Sequence, residues 1–273
     1  APGISTSLTK SGAGTWILAG ANTYTGATTV NQGLLQIGSS LATSSAVSVN
    51  GGTLRLAESG THDHIINTGA VAVTAGAIDL TDNKLITNSD IGSFNGTNYT
   101  GVTGLIASGR NGGTWNGSGI ITSETYAASP SILTTIAVAT GAQAKALAPG
   151  ATAVWAGQTI SDTSTLVMYT YGGDANLDGR INGDDYFAID SHVNTAGSNG
   201  YANGDFNYDG HINGDDYFII DSNINQQSLG VFSTSAGVSS AGISGVSAVP
   251  EPASIGLLSL AGLGLMRRRR RSR

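Results

Sequence analysis

Between residues 8 and 80, apolar and polar positions alternate in short runs that recur along the chain. Val30-Asn31-Gln32-Gly33-Leu34-Leu35-Gln36-Ile37 is echoed nineteen residues later by Val49-Asn50-Gly51-Gly52-Thr53-Leu54-Arg55-Leu56. A looser copy, Val73-Thr74-Ala75-Gly76-Ala77-Ile78-Asp79-Leu80, follows after twenty-four more. Alternation with period two predicts strands that turn one row of side chains inward and the other outward. Each copy reads as strand, Gly turn, strand. A repeat near twenty residues predicts a solenoid, because one coil cannot bury its apolar row alone and needs coils above and below it. Three or four such coils, over residues 1–82, would make a short stack.

From 83 to 171 the spacing decays, but Trp115, Ile120, Ile121, Leu133, Ile136, Val138, Val154 and Trp155 still read as short strands broken by Gly, Asn and Ser. The expectation is a small β-rich domain, either a sandwich or a continuation of the solenoid. Its firmest strand is Thr165-Leu166-Val167-Met168-Tyr169-Thr170-Tyr171, and Gly172-Gly173 then turns the chain into a new segment, 172–225. Residues 226–248 are Ser, Gly, Ala and Val with almost no charge, the composition of a flexible linker. The last segment, 249–273, joins a fourteen-residue apolar run to a string of arginines.

Composition supports a mainly β chain. Charged residues are 11% of the 273, Gly contributes 40, and Cys is absent, which excludes disulfides, thiolate metal sites and a thiol nucleophile. Six of the twelve basic residues lie within 267–273, so the chain before them sets six cations against eighteen acids, a formal −12. No basic patch precedes the tail, which argues against a nucleic-acid partner. The start at Ala1-Pro2, with neither an initiator Met nor an export signal, reads as a mature or truncated C-terminal piece.

Ten of the eighteen acids fall within 174–221, against the single basic Arg180. Such crowding is self-repulsive unless a cation sits there. Asp174, Asn176, Asp178, Asn182 and Asp185 place side-chain oxygens at positions 1, 3, 5, 9 and 12 of a twelve-residue loop, with Gly179 at position 6. Asp205, Asn207, Asp209, Asn213 and Asp216, with Gly210, repeat the arrangement 31 residues later. Calcium takes six to eight oxygens at about 2.3–2.6 Å, and this alternation wraps carboxylates and amides around one point. The carbonyls of Arg180 and His211 would supply position 7, and Asn182 and Asn213 would act through water. Two calcium ions are therefore expected. The helices that follow carry Tyr186, Ile189 and Val193, and Tyr217, Ile220 and Ile224, each set on one face.

Asp at position 12 of both loops, where the general EF-hand pattern has Glu, resembles dockerins, whose two repeats are each a loop and one helix. The resemblance implies a cohesin-like partner or surface scaffold, and often a role in polysaccharide-degrading assemblies. It also implies recognition through loop positions 10 and 11, here Gly183, Asp184, Gly214 and Asp215, and through the following helix. The Ser-Thr pairs usual in dockerins are missing. The near identity of the copies implies binding in either of two orientations. A calcium-clamped helix pair could instead simply cap the β-domain.

Gly12-Ala13-Gly14-Thr15-Trp16-Ile17-Leu18-Ala19-Gly20-Ala21-Asn22-Thr23-Tyr24-Thr25-Gly26-Ala27-Thr28-Thr29-Val30 resembles the autotransporter-associated β-strand repeat, which implies a right-handed parallel β-solenoid. Val249-Pro250-Glu251-Pro252, the apolar run to Met266 and the arginines resemble the PEP-CTERM signal recognised by exosortase. That implies export, cleavage near Pro-Glu-Pro and a cell-surface or extracellular location. As a helix the run rises about 21 Å, short of the roughly 30 Å hydrocarbon core, which suits a transient membrane anchor.

Catalysis has thin support in the sequence. Glu58, Asp63, Asp79, Asp82, Asp90, Glu124 and Asp162 precede the calcium loops, and nothing in their spacing selects a pair that would flank a glycosidic bond. His62 and His64 alternate as on a surface strand. The expected function is a non-catalytic surface protein with a calcium-dependent docking module, acting in polysaccharide-degrading or extracellular-matrix assembly. The alternative is the C-terminal part of a polysaccharide lyase or glycoside hydrolase that carries a dockerin.

Overall fold

The computed structural model describes residues 5–227. The expected linker beyond 227, the C-terminal apolar helix and the sorting segment 249–273 lie outside the described residues.

Four coils stack as a three-sided parallel solenoid. The second coil is Thr28–Val30, Leu34–Ile37 and Leu41–Ser44; the third is Val47–Val49, Thr53–Leu56 and Ile65–Thr68; the fourth is Val71–Val73, Ala77–Asp79 and Lys84–Thr87. The first coil gives Leu8–Lys10 and Thr15–Leu18, with a single bridge from Asn22 to Leu41 on the third side. All pairings between coils are parallel. Leu35 pairs with Leu54 and Leu54 with Ile78, so the sequence offsets of nineteen and twenty-four are the registers of the coils. The five extra residues of the third coil lie in the segment 57–64, between its second and third strands.

The inward rows form ladders. Leu35, Leu54, Ile78 and Ile120 are fully buried in one column, and Val30 and Val49 lie in another. Replacing Leu54 by Ala should cost ~2–5 kcal/mol, because the coils on both sides hold the cavity open. A urea melt of the variant checks this.

Beyond Thr87 the solenoid is finished off rather than followed by a separate sandwich. Gly119–Ile121 adds a fifth parallel strand beside Ala77–Asp79. Thr165–Tyr171 pairs antiparallel with Lys84–Thr87, and Thr134–Thr140 pairs antiparallel with Thr165–Tyr171. Helix α1 (Gly101–Arg110) buries Val102 and Ile106, the short α2 (Gly141–Lys145) follows Thr140, and Thr152–Trp155 with Gln158–Ser161 makes a hairpin.

Helices α3 (Gly183–His192) and α4 (Gly214–Ile224) come from the acidic segment. They begin two residues before Asp185 and Asp216, because Asn182 and Asn213 act as N-caps. Each Asn side chain accepts the N–H two residues on, while the Asp three residues on takes the N–H of the Asn. The buried residues of these helices belong to the same hydrophobic core as the solenoid, and residues 5–227 fall in one compact unit. Among the described residues no helix is long and apolar enough to cross a membrane.

Candidate calcium centre

In both loops the Asp residues at positions 1 and 12 are buried, those at position 5 stay exposed, and the hydrogen bonds of the two loops match. Asp174 accepts from the N–H of Asp178 through Oδ1 at 3.1 Å and from that of Gly179 through Oδ2 at 2.9 Å. Asp205 does the same with Asp209 at 3.2 Å and Gly210 at 2.8 Å. Asn176 and Asn207 accept from Asp178 and Asp209. Asp178 and Asp209 in turn accept from Arg180 and His211. At position 12, Asp185 Oδ1 takes the N–H groups of Ala175 and Asn176, and Asp216 Oδ1 takes those of Phe206 and Asn207. Each loop is thus closed on itself by its own amides. Gly179 and Gly210 sit at φ +87° and +88°, in the left-handed region that the sharp turn requires.

The electrostatics show a want of positive charge. Asp174, Asp185, Asp205 and Asp216 are 0% exposed. Among the described residues the ion pairs are Arg55 with Asp79 and His62 with Asp82, so no cationic side chain pairs with these four. Burial pushes the carboxyls of Asp174 and Asp216 up to about 7 and that of Asp185 up to about 6, and it raises Asp205 as well. The Arg110 guanidinium lies within electrostatic reach of Asp205 and Asp216 without forming an ion pair with them. Buried carboxylates that lack a paired counter-charge are costly, and a divalent cation reverses that balance. No three acidic or histidine side chains among the described residues are gathered so as to hold a metal by themselves. An ion here would draw the rest of its shell from Asn176, Asn182, Asn207, Asn213 and the peptide oxygens of Arg180 and His211. Hard oxygen donors of this kind suit calcium. The donor chemistry is of the kind calcium takes, and Asp174, Asp178 and Asp185 would contribute to a first site and Asp205, Asp209 and Asp216 to a second.

The structure adds features that spacing did not reveal. Ile181 and Ile212, at position 8, are buried. Leu177 and Tyr208, at position 4, are also buried, each at positive φ, and the Tyr208 hydroxyl donates to the carbonyl of Ile136 at 2.6 Å. Ile189 and Ile220 are the buried centres of the two helices. Tyr186 donates to Asp221 at 2.6 Å and Tyr217 to Asp190 at 2.5 Å, a reciprocal clasp between α3 and α4. The clasp pairs residues 35 and 27 apart, beyond the reach of helical periodicity. Asn223 anchors α4 to the β-region by donating to the carbonyls of Ile132 and Gly172. Phe187 and Phe218, one turn into equivalent helices, are left 73% and 65% exposed.

The remaining acids divide by role. Asp79 accepts from Arg55 at 2.8 Å and from the N–H groups of Thr81 and Ser123. Asp82 takes the N–H groups of Ser59 and Gly60 and lies 3.4 Å from His62 Nδ1, which holds the segment 57–64 in place. His64 Nδ1 lies against the carbonyl of Ala57 rather than beside His62 in a shared site. Glu58 and Glu124 do meet, with Gln36 and Arg55, along an open groove on the solenoid flank. Burial, with Glu58 nearby, raises Glu124 above the usual carboxylate range.

Residues 8–37 match the family model described as the passenger-associated-transport-repeat, and residues 248–271 match the PEP-CTERM protein-sorting motif. Neither match reaches the acidic loops. The first is in keeping with the parallel coils. The second indicates export with surface sorting and implies processing by exosortase. No curated protein and no solved structure matches the chain.

Proposed function

We propose that this is a non-catalytic, exported surface protein in which two calcium ions set a helix pair on the end of a β-solenoid and present that pair to a partner. The observation that carries the reading is the doubling of the whole arrangement. Two loops of matched hydrogen bonding each place a helix, the helices are clasped by Tyr186–Asp221 and Tyr217–Asp190, and each leaves one Phe in solvent. Large exposed aromatics are costly to keep in water and are favoured anchors in protein interfaces. The partner is a cohesin-like protein or surface scaffold, with service to polysaccharide-degrading or matrix assemblies as the wider setting.

Ala at both Phe187 and Phe218 should leave calcium binding intact and weaken capture of the secreted partner by about thirtyfold or more, from ~2 kcal/mol for a pair of interface anchors. The measurement is capture on the immobilised chain in millimolar calcium, with a chelated control.

A second reading is favoured by the bonds of Tyr208 to Ile136 and of Asn223 to Ile132 and Gly172. In it the calcium-set pair is a cap that closes the β-core. Capture that survives both Phe changes and chelation would leave the cap as the role of the module.

A further inference from the structure

The geometry points to two residues outside the loops, Tyr99 and Thr170, as positioning residues for the two calcium sites; this rests on the calcium reading above. Each donates a hydrogen bond from the β-region to the first carboxylate of one loop.

Tyr99 lies 106 residues before Asp205 and donates its hydroxyl to Asp205 Oδ2. The direction is fixed, because the phenol oxygen already accepts the Gly200 N–H at 2.7 Å, and its single proton is left for the carboxylate. In the first loop the same place is taken by Thr170, in the strand Thr165–Tyr171, whose Oγ1 donates to Asp174 Oδ2 at 2.5 Å. Both donors are buried. The two loops thus keep matching bonds from backbone N–H groups to their side chains, while their outer clamps differ in chemistry and in origin along the chain.

Counting lone pairs shows what the clamps do. A carboxylate offers about four acceptor directions. On Asp205, Oδ2 serves Tyr99 and the Gly210 N–H, and Oδ1 serves the Asp209 N–H. On Asp174, Oδ2 serves Thr170 and the Gly179 N–H, and Oδ1 serves the Asp178 N–H. On Asp174 this leaves one direction on Oδ1 for a cation, while on Asp205 the Tyr208 N–H also approaches the carboxylate. The hydroxyl fills the outer oxygen, fixes the rotation of the carboxylate and supports its charged form against burial. Outer partners of this kind typically change metal affinity by about 10–100-fold when removed.

The hydroxyls also tie each ion to the β-core. Around the second loop the tie is reinforced by Phe94, whose ring lies 5.1 Å from that of Tyr99 and 6.0 Å from that of His211. Calcium binding in the full chain is therefore coupled to the packing of residues 93–100 and of the strand 165–171.

Calorimetric titration of the full chain with calcium chloride tests the assignment. The wild-type chain shows two binding events. Tyr99→Phe weakens one of them by about 10–100-fold and Thr170→Val weakens the other, while Thr170→Ser, which keeps the hydroxyl, restores it. A purely architectural role would lower the melting temperature of the calcium-free variants and leave both affinities in place. Two wild-type events with unchanged affinities in both variants overturn the positioning role alone. Absence of heat in the wild-type chain overturns the calcium reading and this inference with it.

Discussion

With Asp174 and Asp205 both changed to alanine, the stabilisation by calcium proposed above should disappear, and partner capture should be lost with it. Each Asp opens its loop, is fully buried, and gathers the amides of positions 5 and 6 around a single point. Its removal takes away the bonds that shape the turn and, on the proposed reading, one ligand of the ion. An ion at a thousandfold excess over its dissociation constant contributes ~4 kcal/mol to stability. For a domain of this size ~1 kcal/mol moves the melting temperature by about 2–4 °C. A calcium-dependent rise on the order of 10 °C per site should therefore vanish in the double variant, while Asp174→Ala alone keeps one binding event. Thermal melts with and without chelator, run beside calorimetry, measure this. A double variant that still gains the full rise in calcium would remove the loops from the account.

The second large effect is expected far from the ions. Gly52 sits at φ +107° where one coil lies on the next, and a Cβ there would run into the carbonyl oxygen of Gly33 in the coil beneath. Gly52→Ala therefore combines the left-handed backbone penalty of ~1–2 kcal/mol with overpacking of ~1–3 kcal/mol. The expected loss is about 2–5 kcal/mol, read as a lower urea midpoint with the calcium affinities little changed. The collision is with backbone, which cannot rotate away as a side-chain tip can. A variant as stable as wild type would mean that the coils do not stack at this spacing.

Much of the solenoid was legible because a stacked coil repeats its constraints. Leu35, Leu54 and Ile78 meet the same inward environment once per turn, so the offsets in the sequence are the registers in space. The region after Thr87 was read less well. Its strands pair antiparallel onto one side of the solenoid, and strands such as Thr134–Thr140 are apolar on both faces, so period-two alternation disappears. Gly119–Ile121 continues the parallel stack there, while the antiparallel strands are added to a different side.

The acids follow the same logic. The two matching loop turns were legible because their bonding is local: the Asp, Asn and Gly positions within twelve residues determine the wrap. Asp79, Asp82, Glu58 and Glu124 carried no such spacing, and only folding separates the buried anchors of the segment 57–64 from the pair on the open groove.

From the sequence by itself came the repeat, its coil registers, the paired acidic loops and the sorting signal, because each is written in residues close together along the chain. Tertiary structure decided the rest. It set the loops against the β-core through Tyr99, Tyr208 and Asn223, clasped the helices across 35 and 27 residues, and left Phe187 and Phe218 in solvent. Those contacts depend on which surfaces meet when the chain closes, and no local periodicity encodes a meeting between residues a hundred positions apart.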